Sequence, residues 1–130
     1  MSSDRRKPLP PEAILERAKQ QIALINQWTM GLDVEAYVAD ELRRYAVERA
    51  FIALGEAVKD LSRVVDLHAL DPGGPWREPA RFRDFLAHDY DDQVIPDIVW
   101  ATISDGLPDL ARALERVGLA LGRRQGTGGR

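Results

Sequence analysis

Apolar positions recur at steps of three and four along most of this chain, the period of helices that bury one face. From about Glu12 to Trp28 the residues Ile14, Ala18, Ile22 and Ile25 form one stripe, and Pro10-Pro11 stand where a helix tolerates proline at its start. Thr29-Met30-Gly31-Leu32-Asp33 interrupts the pattern, and Asp33 is placed to cap the next helix. No proline follows until well past Asp66, so the pattern predicts one long helix from about Val34 to Asp66. Its apolar set, which includes Tyr37, Leu42, Tyr45, Phe51, Leu54, Val58 and Leu61, is too wide for a two-stranded seam. It suits a central helix with several neighbours.

Leu70-Asp71-Pro72-Gly73-Gly74-Pro75 reads as the main loop. A third helix is expected from about Pro79 to near Tyr90, and Asp91-Asp92 favour a new helix start because carboxylates suit the positive end of a helix. Pro96 is tolerable in that first turn, where backbone N–H groups lack intrahelical partners. Gly106 and Pro108 permit a restart before a last helix carrying Leu110, Ala113, Leu114, Val117 and Leu121. Period-two alternation is absent. The expectation is an all-α bundle of four to five helices in one domain over residues 11–122. Residues 1–10 read as a flexible N-terminal segment and 123–130 as a disordered tail.

The 130 residues suffice for one buried core. Absence of cysteine excludes a disulfide framework and thiolate metal sites. The start lacks the apolar run of a signal peptide, and no segment reaches the ~20 apolar residues that span a bilayer, so a cytoplasmic protein is expected. A net charge of −3 argues against general nucleic-acid binding but leaves room for a local basic site.

Chemistry concentrates in Arg81-Phe82-Arg83-Asp84-Phe85-Leu86-Ala87-His88-Asp89-Tyr90. The chain has only two histidines, and His88 is one of them. A histidine trades protons near neutral pH, and an arginine grips phosphate through a planar fork of donors. Cleaving RNA without a metal uses the ribose 2′-OH as nucleophile. It requires a base for the 2′ proton, an acid for the leaving 5′ oxygen and a cation for the developing charge. Positions five apart lie about 140° around a helix, so Arg83 and His88 do not share a face automatically. The spacing favours a site completed by a second subunit.

Gly55-Glu56-Ala57, then Phe82-Arg83-Asp84-Phe85-Leu86-Ala87-His88-Asp89-Tyr90, Val99-Trp100 and Leu107-Pro108-Asp109-Leu110, together resemble the HepT-like group of the HEPN superfamily. The similarity covers roughly Val34 to Val117. Arg-x4-His-x-Tyr is that group's signature. The resemblance implies a dimeric HEPN-like bundle acting as the toxin of a type VII toxin–antitoxin pair. It implies a metal-independent ribonuclease site formed by Arg83 and His88 at the dimer interface, with no cofactor. It also implies a cognate minimal nucleotidyltransferase that silences the toxin by transferring AMP to Tyr90. One departure is Asp84, where asparagine is common; its carboxylate can pair with Arg83 and weaken the grip on phosphate, or hold the side chain in place.

Blander roles stand beside these. His88 can serve only the negative end of its helix. Tyr90 can simply pack its ring. Gly55 costs a helix about 0.5–1 kcal/mol relative to alanine, and close approach of another helix is the expected compensation. Glu56 is either a supporting group for Arg83 or His88 or an exposed carboxylate. His68 with scattered acids does not make a metal site. Trp76 is expected in the core, with stacking on a base as the minor alternative. The competing function is a non-catalytic helical binding module, an AMP acceptor for the nucleotidyltransferase.

Overall fold

The computed structural model describes residues 9–88 and 95–128. They form seven helices and no strand: α1 (Pro11–Thr29), α2 (Val34–Ala39), α3 (Glu41–Val64), α4 (Leu67–Leu70), α5 (Glu78–His88), α6 (Ile95–Ser104) and α7 (Gly106–Gly128). The all-α expectation holds, with more and shorter pieces than the four to five helices read from the sequence. None of these helices is long and apolar enough to cross a membrane.

α3 is the central helix, packed between α1 and α5 along its length. Val47, Ala50, Phe51, Leu54, Ala57, Val58 and Leu61 are buried on it, facing Ile14, Ala18, Ile22 and Ile25 of α1. α7 closes the far side with Leu110, Ala113, Leu114, Val117 and Leu121. Tyr37 of α2 is fully buried with its ring 5.4 Å from that of Trp100 on α6, which ties the short second helix to the sixth.

The long helix expected from Val34 to Asp66 is split. Asp40 leaves helical geometry (φ −101°, ψ 88°), and its carboxylate accepts the backbone N–H of Arg43 at 3.0 Å, capping α3. Asp competes for local backbone donors in this way, which is why it favours helix starts over interiors. Arg43 completes the corner. Its Nε lies 3.2 Å from Asp40, and its Nη1 donates to the Trp28 carbonyl at the end of α1. Asp40→Ala is expected to cost about 1 kcal/mol, the usual worth of an N-cap, read as a lower urea midpoint at unchanged m. α3 also stops at Val64, because Asp66 begins α4 by accepting from Ala69 N–H.

Asp33 caps α2 through the Ala36 N–H at 2.8 Å, as its position predicts. Pro96 lies in the first described turn of α6 and Pro108 in the first turn of α7. The loop begins one residue later than expected, since Leu70 still belongs to α4. α7 continues to Gly128, past the point where a disordered tail was expected. Isolated glycines weaken a helix by only about 1 kcal/mol each and do not by themselves end one. The helix start expected at Asp91-Asp92 lies outside the described residues.

Candidate active site

α5 carries the site, and its placement begins at Gly55. A Cβ on Gly55 would stand 2.6 Å from the Pro79 carbonyl oxygen and 2.7 Å from the Arg83 Cβ. Only a residue without a side chain lets α5 approach so closely, and this contact seats Arg83 against α3. One turn back along α3, Phe51 meets Phe82 edge-on at 5.0 Å, a second contact that holds α5 on α3. Phe82 in turn stacks on Phe85 at 6.0 Å, and Leu86 is buried. Phe82 and Phe85 stay partly open on one flank of α5, and Asp84 and His88 are exposed.

The start of α5 is fixed as firmly. Trp76 is buried and its indole N–H donates to the Asp71 carbonyl at 3.0 Å. The Asp71 carboxylate takes two bonds from Arg116 of α7, Nε at 2.6 Å and Nη2 at 3.1 Å. This pairing holds the Arg116 guanidinium above its ordinary pKa range. Gly74 fits into the same knot, since a Cβ there would lie 2.3 Å from Asp71 Oδ2 and 2.4 Å from Trp76 Nε1. Trp76 is therefore a core anchor, not a platform for a base.

At the centre of α5 the Arg83 side chain is mostly covered (19 % exposed) and its guanidinium is paired with Asp84. Nε donates at 3.2 Å and Nη2 at 2.9 Å, both to Asp84 Oδ1. Adjacent helical residues do not face each other, so the arginine must bend across the surface to make this contact. Asp84 and His88, four apart, lie on one face. The structure thus brings Arg83 and Asp84 together and puts His88 one turn from Asp84. No described contact joins Arg83 directly to His88. Glu56 is exposed on α3 beside Gly55, with no described contact to either residue. Tyr90 lies outside the described residues.

Other polar features gave no local signal in the sequence. Tyr37 carries its hydroxyl in the core, and burial, reinforced by the charge of Glu48 and opposed by that of Arg44, pushes its pKa upward. Neither that hydroxyl nor Arg44 Nε has a hydrogen-bond partner among the described residues. His68 is exposed on α4, and no group of three or more His, Cys, Asp or Glu able to hold a metal ion occurs among the described residues. An open apolar groove of about 730 Å³ flanks α5, lined by Phe51, Leu54, Phe82, Phe85, Ile98 and Leu110 among others.

The family model described as ribonuclease HepT-like matches residues 18–117, which include all of α5 and its contacts with α3. The chain belongs to the HepT-like ribonuclease family. Among its HepT-like relatives is a protein of Thermococcus cleftensis named "Probable ribonuclease HepT". It is 35 % identical over 103 residues, covering 79 % of this chain and 91 % of the relative. "Putative RNase TTE0752" of Caldanaerobacter subterraneus is 30 % identical over 107 residues, 82 % of this chain and 93 % of that protein. "Putative RNase MJ0127" of Methanocaldococcus jannaschii is 31 % identical over 104 residues, 80 % of each chain. No solved structure matches. Within this HepT-like chain the contact at Gly55 is now explained by helix approach, as the cost of a helical glycine suggested. The Asp71–Arg116 pair had no sequence signal because its members lie 45 positions apart.

Proposed function

We propose that this protein is a metal-independent endoribonuclease and the toxin of a type VII toxin–antitoxin pair, with Arg83 and His88 as catalytic residues. The observation that carries the reading is Arg83, held by Asp84 one turn from His88 on α5, in a chain of the HepT-like family. Arg83 binds the scissile phosphate through parallel N–H···O bonds that strengthen as charge develops. Neutral His88 takes the 2′-OH proton. The 2′ oxygen attacks phosphorus, and the 5′ oxygen leaves with a proton, giving a 2′,3′-cyclic phosphate and a 5′-OH end. One histidine cannot be the neutral base and the protonated acid in the same step, so the protonated His88 of the second subunit of a homodimer donates to the leaving 5′ oxygen. The apolar groove beside α5 offers that subunit a surface next to the site. A cognate nucleotidyltransferase then inactivates the toxin by moving AMP from ATP to the Tyr90 hydroxyl, releasing pyrophosphate.

Two measurements test this. Purified protein is expected to cleave RNA equally well with and without EDTA, leaving cyclic-phosphate ends; activity abolished by EDTA and restored by a divalent ion contradicts the mechanism. After co-expression with the nucleotidyltransferase, the intact mass is expected to rise by about 329 Da per AMP, mapping to Tyr90. An unmodified Tyr90 refutes the proposed off-switch.

A second reading is favoured by one observation: Asp84 already holds both donors on one edge of Arg83. A protein that accepts AMP yet cleaves no RNA at any concentration would be a binding module, with Arg83 and His88 serving as interface groups.

A further inference from the structure

We propose that Asp84 sets the affinity of Arg83 for phosphate: in the free protein its carboxylate occupies the guanidinium edge that an RNA phosphodiester needs, and substrate binds by displacing it. The proposal rests on the reading that Arg83 takes phosphate, but its test does not depend on cleavage.

Three observations support it. First, Nε and Nη2 form the edge that grips an oxyanion by two parallel bonds, and both donate to Asp84 Oδ1. Second, the Arg83 side chain is largely covered by the fold. Its Cβ is wedged against Gly55 and the side chain is only 19 % exposed. Third, the Asp84 side chain is 61 % exposed, so water receives the carboxylate when phosphate replaces it. Exposed pairs of this kind shift an equilibrium by only about 1.5- to 5-fold. Asp84 therefore weakens substrate binding without blocking it. An asparagine at this position keeps an acceptor for Arg83 but removes the competing charge.

The test is a double-mutant cycle on binding of an oligoribonucleotide with 2′-O-methyl riboses, which has no nucleophile and stays intact. Fluorescence anisotropy compares wild type, Asp84→Asn, Arg83→Gln and the double variant, with Arg83→Met as a substitute should glutamine disturb folding. Asp84→Asn is expected to tighten binding by roughly two- to fivefold, and this gain is expected to vanish without Arg83. In cleavage assays the same variant is expected to lower KM. An equal gain in the Arg83→Gln background means Asp84 acts only as a general repelling charge, and the proposal fails. Weaker binding by Asp84→Asn also overturns it, since the carboxylate would then be a support for Arg83. Wild-type protein that binds the oligonucleotide but cleaves no RNA refutes the ribonuclease reading and leaves the role of Asp84 standing. If none of the variants binds, both readings fall.

Discussion

His88→Ala is expected to lower RNA cleavage by ~10²–10⁴-fold, the usual worth of a general acid–base group. The change is expected to leave folding nearly intact. His88 is exposed at the last position of α5, and surface substitutions of this kind stay within about 0.5 kcal/mol. Under the proposed mechanism His88 is base in one subunit and acid in the other, so mixed dimers carrying one altered copy are expected to lose most of the activity as well. Single-turnover cleavage together with a thermal melt checks both parts. Unchanged cleavage by a folded His88→Ala protein would remove His88 from the mechanism.

Gly55→Ala is expected to act in the opposite way, through the fold. Alanine in an open helix gains about 1 kcal/mol over glycine. Here the added methyl meets a backbone carbonyl and the Arg83 Cβ inside 3 Å, so α5 must move away. Overpacking of this kind costs about 1–3 kcal/mol, enough to reverse the propensity gain. A net loss of stability is therefore expected, with a larger loss for Gly55→Val. Cleavage is expected to fall further than stability explains, because the displaced helix carries Arg83 and His88 together. Stabilisation by Gly55→Ala in a urea titration would contradict the close approach.

These two residues also show how far the sequence could be read. The stripes of α1, α3 and α7 were plain because burial on one face imposes a 3.6-residue period whatever the neighbours are. The motif on α5 was legible for a different reason, its resemblance together with the flanking landmarks to the HepT-like group, since Arg-x4-His by itself is a common spacing. Gly55 signalled a close approach, but nothing local named Pro79 and Arg83 as the groups approaching. The break at Asp40 was missed because apolar residues continue on both sides of it. The cap lies in one side-chain bond to Arg43, not in the pattern. Trp76 was expected in the core, but its meeting with Asp71 and Arg116 carried no signal, since it depends on α7 returning past the loop.

That meeting has a mechanical consequence. α5 is 11 residues long, about 16 Å at 1.5 Å per residue, and it is clamped at one end by the Asp71–Trp76–Arg116 knot. The helix behaves as a lever with its pivot in the loop and His88 at its tip. A tilt of about ten degrees at the pivot would carry the tip roughly 3 Å. Displacements of only about 1 Å can cost a reaction a hundredfold. Loosening the ion pair at the start of the helix is therefore expected to leave the packing on α3 as the remaining hold on the position of His88.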